Sequence, residues 1–568
     1  MPDTDISAPG PVTARPATPE AISAGPCKVL FVHPQFHAGS FWNYREVCEF
    51  VGAKYPAPPL GLITVAAMLP KTWESRLVDR NVGELTDDDI AWADLIMTGG
   101  MLPQQMDALN VIRWAHRLGK PVAVGGPDPT SIPGHYEEAD FKVLGEAEGI
   151  LDEFIAAWER GERSGTFTAP KYTIDVTQTP VPRFDLLELD KYVHVNVQFS
   201  RGCPFTCEFC DIIELYGRVP RTKTIDQMLN ELDALRDIGY RGHVDFVDDN
   251  LIGNKKAVKA FMPHLIDWQN RNKYPFVFST EASLNLSDDE ALLAQLSEAN
   301  FFLMFIGIES PNEEVLKSTR KKQNTRRSIA DSVHKFYAAG IGVLAGFIVG
   351  FDEEGEGTAE AIIELIEDSA IPVAMVGLLY ALPNTQLTRR LEREGRMFPD
   401  QYIVEEEDPA DQCVAGLNFH TKRPRQDVLS DYREVVSTVY RPENFFRRVR
   451  RASRMMKMGG RNGDMHMSMA AKDLSHFARL AFNITLRKTR FAPYFWQTLL
   501  YILFTNPRAL VPTINLMALY VHLGPFASYV TREIDDQIQA VKSGEWQPPV
   551  AETEPAEAQA GVPVGARA

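Results

Sequence analysis

Cys203, Cys207 and Cys210 fall at C-x3-C-x2-C spacing within residues 200–211. Three thiolates can hold three irons of a cubane [4Fe–4S] cluster and leave the fourth open to a small chelating ligand, whereas electron-transfer clusters ordinarily fill every corner with cysteine. An open corner points to catalysis. Zinc would want a fourth protein ligand, and His194 and His243 do not lie at zinc-finger spacing. A disulfide reading fits poorly, because three clustered cysteines cannot all pair.

Those cysteines need a frame. Residues 194–199 read as a strand with the cysteines in the loop that follows. Further apolar runs at 243–247, 276–280, 302–308, 343–349 and 374–379 alternate with helical spans such as 225–238, 256–272 and 288–299. Six strands with intervening helices predict a partial (β/α)6 barrel, with chemistry at the carboxyl ends of its strands. Polar residues fall there: Asp248, Asp249 and Asn250, then Glu281, Glu309 and Ser310, Gly350 and Asp352, and Thr385. Strand-end carboxylates also cap helices, so Asp249 or Asn250 serves equally as the cap of the next helix. Glu309 closes an otherwise apolar strand, where an unpaired buried carboxylate is costly, and reads as functional.

A second alternating pattern precedes the barrel, over residues 27–165. Strand-like runs at 28–33, 74–79, 93–98 and 121–126, with helical runs at 61–69 and 105–118, predict an α/β unit built on a doubly wound, Rossmann-like parallel sheet. Asp79, Asn81, Gly125 and Gly126 stand at its strand ends, where glycine lets backbone approach a bulky ligand. A dinucleotide site would carry G-x-G-x-x-G after the first strand; His33 and Pro34 stand there instead.

The chain has 568 residues, 45% of them hydrophobic, which suits about three or four domains. Its net charge of −17 argues against a nucleic-acid partner, and six cysteines are too few for a disulfide scaffold and fit a reducing cytoplasm. Residues 1–26 and 546–568 read as a disordered leader and tail. A linker is expected at 166–190, the barrel at 191–385, an accessory segment at 386–445 and a helical region at 446–545. The helical region opens with a basic run (Arg447, Arg448, Arg450, Arg451, Arg454, Lys457 and Arg461), followed by apolar stretches at 491–504 and 510–530. The second is uncharged and near bilayer-spanning length, but Pro512, Asn515, His522 and Pro525 weigh against a span. Helices docked on a membrane surface and helices buried against the barrel both fit.

C-x3-C-x2-C after a first strand, with Phe209 before the third cysteine, resembles the signature of the radical S-adenosylmethionine (SAM) superfamily. The resemblance implies that Cys203, Cys207 and Cys210 ligate the cluster and that SAM chelates the open iron. It also implies an external electron donor of flavodoxin or ferredoxin type, which drives SAM cleavage to a deoxyadenosyl radical. On the same basis Asp248, Asp249, Asn250 and Glu281 surround SAM, Glu309 reaches its ribose, and the strand from Gly346 to Gly350 runs along its adenine. The sheet ahead resembles the cobalamin-binding domain of many such enzymes, through Pro56-Ala-Pro-Pro-Leu-Gly-Leu62, Asp79-Arg-Asn-Val82 and Val124-Gly-Gly-Pro127. Here Asp79-Arg80-Asn81 replaces the D-x-H whose histidine ligates cobalt. Both cofactors together imply C-methylation of an unactivated carbon; the alternative is a cyclase or rearrangement enzyme without methyl transfer. Phe199-Ser-Arg-Gly-Cys-Pro204, Leu215-Tyr-Gly-Arg218 and Ala381-Leu-Pro-Asn-Thr385 resemble the hopanoid A-ring methylase branch, which implies a small hydrophobic substrate such as a lipid. The expected location is cytoplasmic, at the inner face of the membrane if the apolar helices dock there.

Overall fold

The computed structural model describes residues 27–399 apart from 38 and 42, and residues 413–457, 467–487 and 490–549. The leader expected at 1–26 and most of the expected tail lie outside them. The first residues assigned to that tail are docked: the Trp546 ring lies 4.5 Å from the Arg425 guanidinium, and the Trp546 backbone N–H donates to the Ala540 carbonyl.

β1 (Lys28–His33) is buried at every position but its first, as a strand covered on both faces must be. It pairs in parallel with β2 (Glu74–Asp79) on one side and β3 (Leu95–Thr98) on the other. β4 (Val122–Gly125), β5 (Phe141–Leu144) and β6 (Gly165–Thr168) extend the sheet in the order β2-β1-β3-β4-β5-β6. The order reverses at β1, so a crevice opens beyond the carboxyl ends of β1 and β3. β5 and β6 are absent from the four-strand expectation, and β6 carries the sheet to Thr168.

The second sheet begins with β7 (His194–Val197). A short antiparallel pair, β8 (Ser200–Arg201) and β9 (Arg221–Thr222), follows at once and ties off the cysteine loop between them. Then come β10 (Gly242–Phe246), β11 (Phe276–Ala282), β12 (Phe301–Glu309), β13 (Gly342–Val349) and β14 (Val373–Leu378). Their order is β14-β13-β12-β11-β10-β7, all parallel: the expected six-stranded partial barrel. The helix Ile225–Asp237 starts where Thr224 and Gln227 form a capping box, which satisfies backbone donors that would otherwise be left open.

Helices Arg425–Val439, Pro442–Met455, Met467–Arg487, Ala492–Thr505 and Leu510–Ser543 form the C-terminal region and share one continuous hydrophobic core with the barrel. The basic run does not simply flank membrane helices. Arg448 is fully buried, paired to Glu367 at 2.6 Å and donating to the carbonyls of Ile371 and Val439. Arg447 also pairs with Glu367, and Arg451 donates to the Glu367 and Asp368 carbonyls. These arginines clamp the carboxyl end of helix Thr358–Ser369, where the helix dipole favours cations. Arg461 lies outside the described residues. The long final helix passes the length and apolarity test for a membrane span, yet 50% of its most apolar window is buried inside the protein. Leu516, Met517, Tyr520, Val521 and Leu523 sit in the core, and His522 meets the Phe41 carbonyl at 3.1 Å. It is a core helix.

Candidate active site

The cysteine loop is held from the ends of three strands. Gly202 turns into it with φ +94°, and a Cβ there would stand 2.9 Å from the Gly217 carbonyl oxygen, so no side chain fits. Asp248, just past β10, accepts the backbone N–H groups of Phe199 and Ser200 and the Ser200 hydroxyl. Asp249 accepts the Gly202 N–H at 3.1 Å. Asn250 directs Nδ2 at the Cys203 sulfur, 3.8 Å away, while its Oδ1 accepts from Ser283. Neither Asp249 nor Asn250 caps the next helix; Asn254 does, because the 3-10 turn Leu251–Asn254 intervenes. From the other side, Gln323 Nε2 donates to the Cys207 sulfur at 3.7 Å. Burial pushes the Cys203 and Cys210 thiols up, so a metal is needed to make them thiolates at neutral pH.

Glu309 ends β12 with φ +71°, a strained backbone for a residue bearing a Cβ. Its buried carboxylate pairs with Lys321 Nζ at 2.7 Å. Burial would disfavour the Lys321 charge, but the Glu309 carboxylate, with Cys207 and Cys210 as thiolates, outweighs it and raises the pKa. The ammonium also lies 5.9 Å from the centre of the Phe209 ring. Gly307 makes room for the pair: a Cβ there would meet Glu309 Oε1 at 2.4 Å and Lys321 Nζ at 2.8 Å. Gly307 stands in register with Gly346 on β13, so the two strands present bare backbone beside Glu309. Gly350 instead packs closely on Leu417 and donates its N–H to Glu354.

The lumen beside this loop is acidic. Glu281 is reached by solvent although protein encloses it, and enclosure together with repulsion from Asp245, Asp249 and Asp248 pushes it up to about 8. Burial raises Asp248 to about 6 and Asp249 to about 7, against the hydrogen bonds that favour their charged forms. A cationic ligand here would relieve that repulsion.

The first sheet's strand ends are differently committed. Asp79 meets His33 at 3.2 Å and accepts from Asn81 and from the Tyr192 hydroxyl. Asn81 in turn accepts the Phe36 N–H and donates to the Pro34 carbonyl, while the other ring nitrogen of His33 meets Gln104 at 2.9 Å. Both imidazole nitrogens of His33 are thus occupied, and Asp79 and Asn81 shape the loops around the crevice. Gly125 and Gly126 allow close backbone packing: a Cβ on Gly99 would lie 1.8 Å from the Gly125 oxygen, and Gly126 has φ +95°. Phe36, Tyr55, Tyr192 and Val82 form a buried apolar cluster next to Asp79 and Asn81.

A buried ion network joins the two units. Arg201, two residues before Cys203, pairs with Glu148 at 2.7 Å and Glu146 at 3.1 Å, and Arg221 pairs with Glu146 at 2.8 Å. Glu208, inside the cysteine loop, pairs with Arg390 at 2.8 Å, and Arg390 continues to Asp352. Lys321, Gln323, Gly307, Glu146 and Glu148 carry no mark in the sequence reading. Lys321 sits in a run of three cations that looks like a solvated surface.

Cys27, Cys48 and Cys413 are buried outside this loop, and burial takes the first two thiols up to about 12. Among the described residues no three metal-ligating side chains converge as a single ion would require.

Residues 197–366 match the radical SAM superfamily, and residues 385–536 match a domain of unknown function, DUF4070. The chain is 43% identical to an uncharacterised methyltransferase of Synechocystis, over 93% of this chain and 97% of that one. It is 37% identical to the hopanoid C-2 methylase of Rhodopseudomonas palustris, over 74% of this chain and 78% of that one. Among solved structures it resembles the cobalamin-dependent SAM radical enzyme OxsB, with a TM-score of 0.56 at 14% identity over 92% of this chain and 82% of that one. The two-sheet architecture, the three-cysteine loop and these relatives agree: the chain carries a radical SAM domain and belongs to the family that includes the hopanoid C-2 methylase.

Proposed function

We propose that this protein is a cobalamin-dependent radical SAM C-methyltransferase acting on an unactivated carbon of a lipid or other hydrophobic small molecule. The observation that carries the reading is the cysteine loop, set between an acidic lumen and the Glu309–Lys321 pair and bolted to the first sheet through Arg201. Bound cluster, SAM and cobalamin supply reductive SAM cleavage, hydrogen abstraction and methyl donation.

The residues present suit each group. Cys203, Cys207 and Cys210 would each hold one iron, with Asn250 and Gln323 donating N–H groups to sulfur, which tunes a cluster's potential. A bound sulfonium and ammonium would offset the repulsion that raises the pKa of Glu281, Asp248 and Asp249 and so favour their ionised forms. Glu309, beside the bare backbone of Gly307 and Gly346, would orient the ribose and adenine. Cobalamin would lie in the crevice bounded by Asp79, Asn81, Gly125 and Gly126 and flanked by the Phe36–Tyr55–Tyr192 cluster. With both His33 nitrogens occupied, that crevice fits cobalt with no histidine from this strand end. A hydrophobic substrate, held between the crevice and the lumen, would be shielded from water there. The enzyme acts on its substrate with an external reductant, for which a flavodoxin or ferredoxin is the fitting class.

The test is anaerobic reconstitution with iron, sulfide and cobalamin, followed by turnover with methyl-labelled SAM, a flavodoxin-type donor and a bacterial lipid extract. Label in the organic phase together with deoxyadenosine is the expected result, and both vanish in Cys203→Ala. Deoxyadenosine with a label-free product would establish rearrangement without methyl transfer instead.

A further inference from the structure

The C-terminal helices are apolar on two faces, and the core accounts for only one. On helix Met467–Arg487 the inner face buries Leu480 and Ile484, while Phe482 and Leu486 are 64% and 61% exposed. On helix Ala492–Thr505 the inner face buries Phe495, Leu499 and Ile502. Its outer face shows Trp496, Leu500, Leu503 and Phe504, a stripe at i, i+4, i+7 and i+8, with Phe504 82% exposed. The Trp496 indole N–H donates to the Thr485 hydroxyl at 3.1 Å, which brings the two stripes side by side. A contiguous exposed apolar surface on a soluble chain marks an interaction site.

Charge identifies the occupant. The protein carries −17 overall, yet the sequence from Leu474 to Arg532 contains no Asp or Glu. Its described cations include Arg487 and Arg490 at the turn between the two helices and Arg508 beyond the end of the second, all exposed. An apolar stripe with arginines at both ends matches an anionic bilayer, whose headgroups attract the cations while the side chains enter the acyl boundary. A second copy of this face would bring its arginines against identical arginines. We propose that helices Met467–Arg487 and Ala492–Thr505 form an interfacial hairpin that docks the enzyme on anionic lipid. This differs from a span by Leu510–Ser543, which the core excludes.

The inference does not depend on methyl transfer and is tested without turnover. The full chain is floated with vesicles of phosphatidylcholine alone and of phosphatidylcholine mixed with phosphatidylglycerol, alongside light scattering to read mass in solution. Flotation with the anionic vesicles, weakening as salt rises, is expected. The double variant Phe482→Glu/Phe504→Glu should bind at least about a hundredfold more weakly, because both aromatic side chains lose their apolar burial. Arg487→Glu/Arg490→Glu should lose roughly tenfold or more on anionic vesicles only, where the cations meet charged headgroups. All four positions are exposed, so unchanged circular dichroism is expected of both variants. A wild-type monomer that stays with neither vesicle overturns the proposal. So does a stable dimer that Phe482→Glu/Phe504→Glu splits, since that would assign the face to self-association.

Discussion

At the scale of the residue, the least legible feature of the site is a cation. Lys321 is buried beside Cys207 and Cys210 and answers Glu309 at 2.7 Å. Its sequence neighbours Arg320 and Lys322 make it look like one of three surface charges. The cysteines could be read because their chemistry is carried by local spacing; Lys321 could not, because its partner arrives only when β12 and the following loop pack. Removing one member of a buried pair leaves the other uncompensated, at a typical cost of about 3–5 kcal/mol. Lys321→Met should therefore lower the melting temperature sharply, and Lys321→Met/Glu309→Leu should recover much of the loss. A double variant no better than the single one, in thermal melts of the apoprotein, would show that the pair is not the source. Gly307→Ala tests the same pocket sterically: its Cβ would meet both charged groups, and a loss of about 1–3 kcal/mol is expected for such overpacking.

At the scale of the element, most strands were readable because buried parallel strands are short, nearly continuous apolar runs. β5 escaped because Lys142 interrupts it, although only its neighbours need be apolar for Phe141 to fill the core. The sequence leaves the role of the arginines of Pro442–Met455 open for a related reason. Composition reports charge but not the carbonyls at the end of helix Thr358–Ser369 that absorb it. The turn after β13 holds a feature that only structure reveals. Glu354 accepts the Gly350 N–H through Oε2, while Oε1 is buried without a hydrogen-bond partner among the described residues. Burial, ahead of hydrogen bonds and nearby charges, raises its pKa from an ordinary 4.5 to about 7. A raised carboxyl pKa means that the folded state holds the proton more tightly. Stability is then fully present below about pH 4.5, declines as pH rises to about 7, and stays reduced above it. Glu354→Gln keeps an acceptor for Gly350 and removes the buried charge. It should stabilise the protein by up to about 3 kcal/mol at pH 8 and by little at pH 4.5. An equal effect at both values, in paired thermal melts, would place the gain elsewhere.

At the scale of the whole molecule, two sheets must stay aligned for cofactors on separate units to meet, and buried charges do part of that alignment. Each sheet was visible in the sequence as alternating strands and helices, but nothing in either pattern joins Arg201 and Arg221 to Glu146 and Glu148. That joint exists only after docking. Burial would raise the Glu148 pKa, but the Arg201 hydrogen bonds and charge, with help from the Thr179 hydroxyl, dominate and bring it from 4.5 to about 2. A depressed carboxyl pKa stabilises the folded state above about pH 4.5, and that contribution drains away as pH falls towards about 2. The shift corresponds to about 3 kcal/mol for this nearly inaccessible side chain. Glu148→Gln imitates the protonated form. It should therefore be less stable than wild type by roughly that amount at pH 7, with the gap closing between about pH 4.5 and pH 2. Because the lost contacts bridge the two sheets, the variant should also show a larger radius of gyration by small-angle scattering at pH 7, approached by the wild type on acidification. A stability gap that ignores pH would mean that Glu148 acts through packing, and the alignment of the two sheets would then rest on their apolar contacts and the Tyr55–Tyr192 bridge instead.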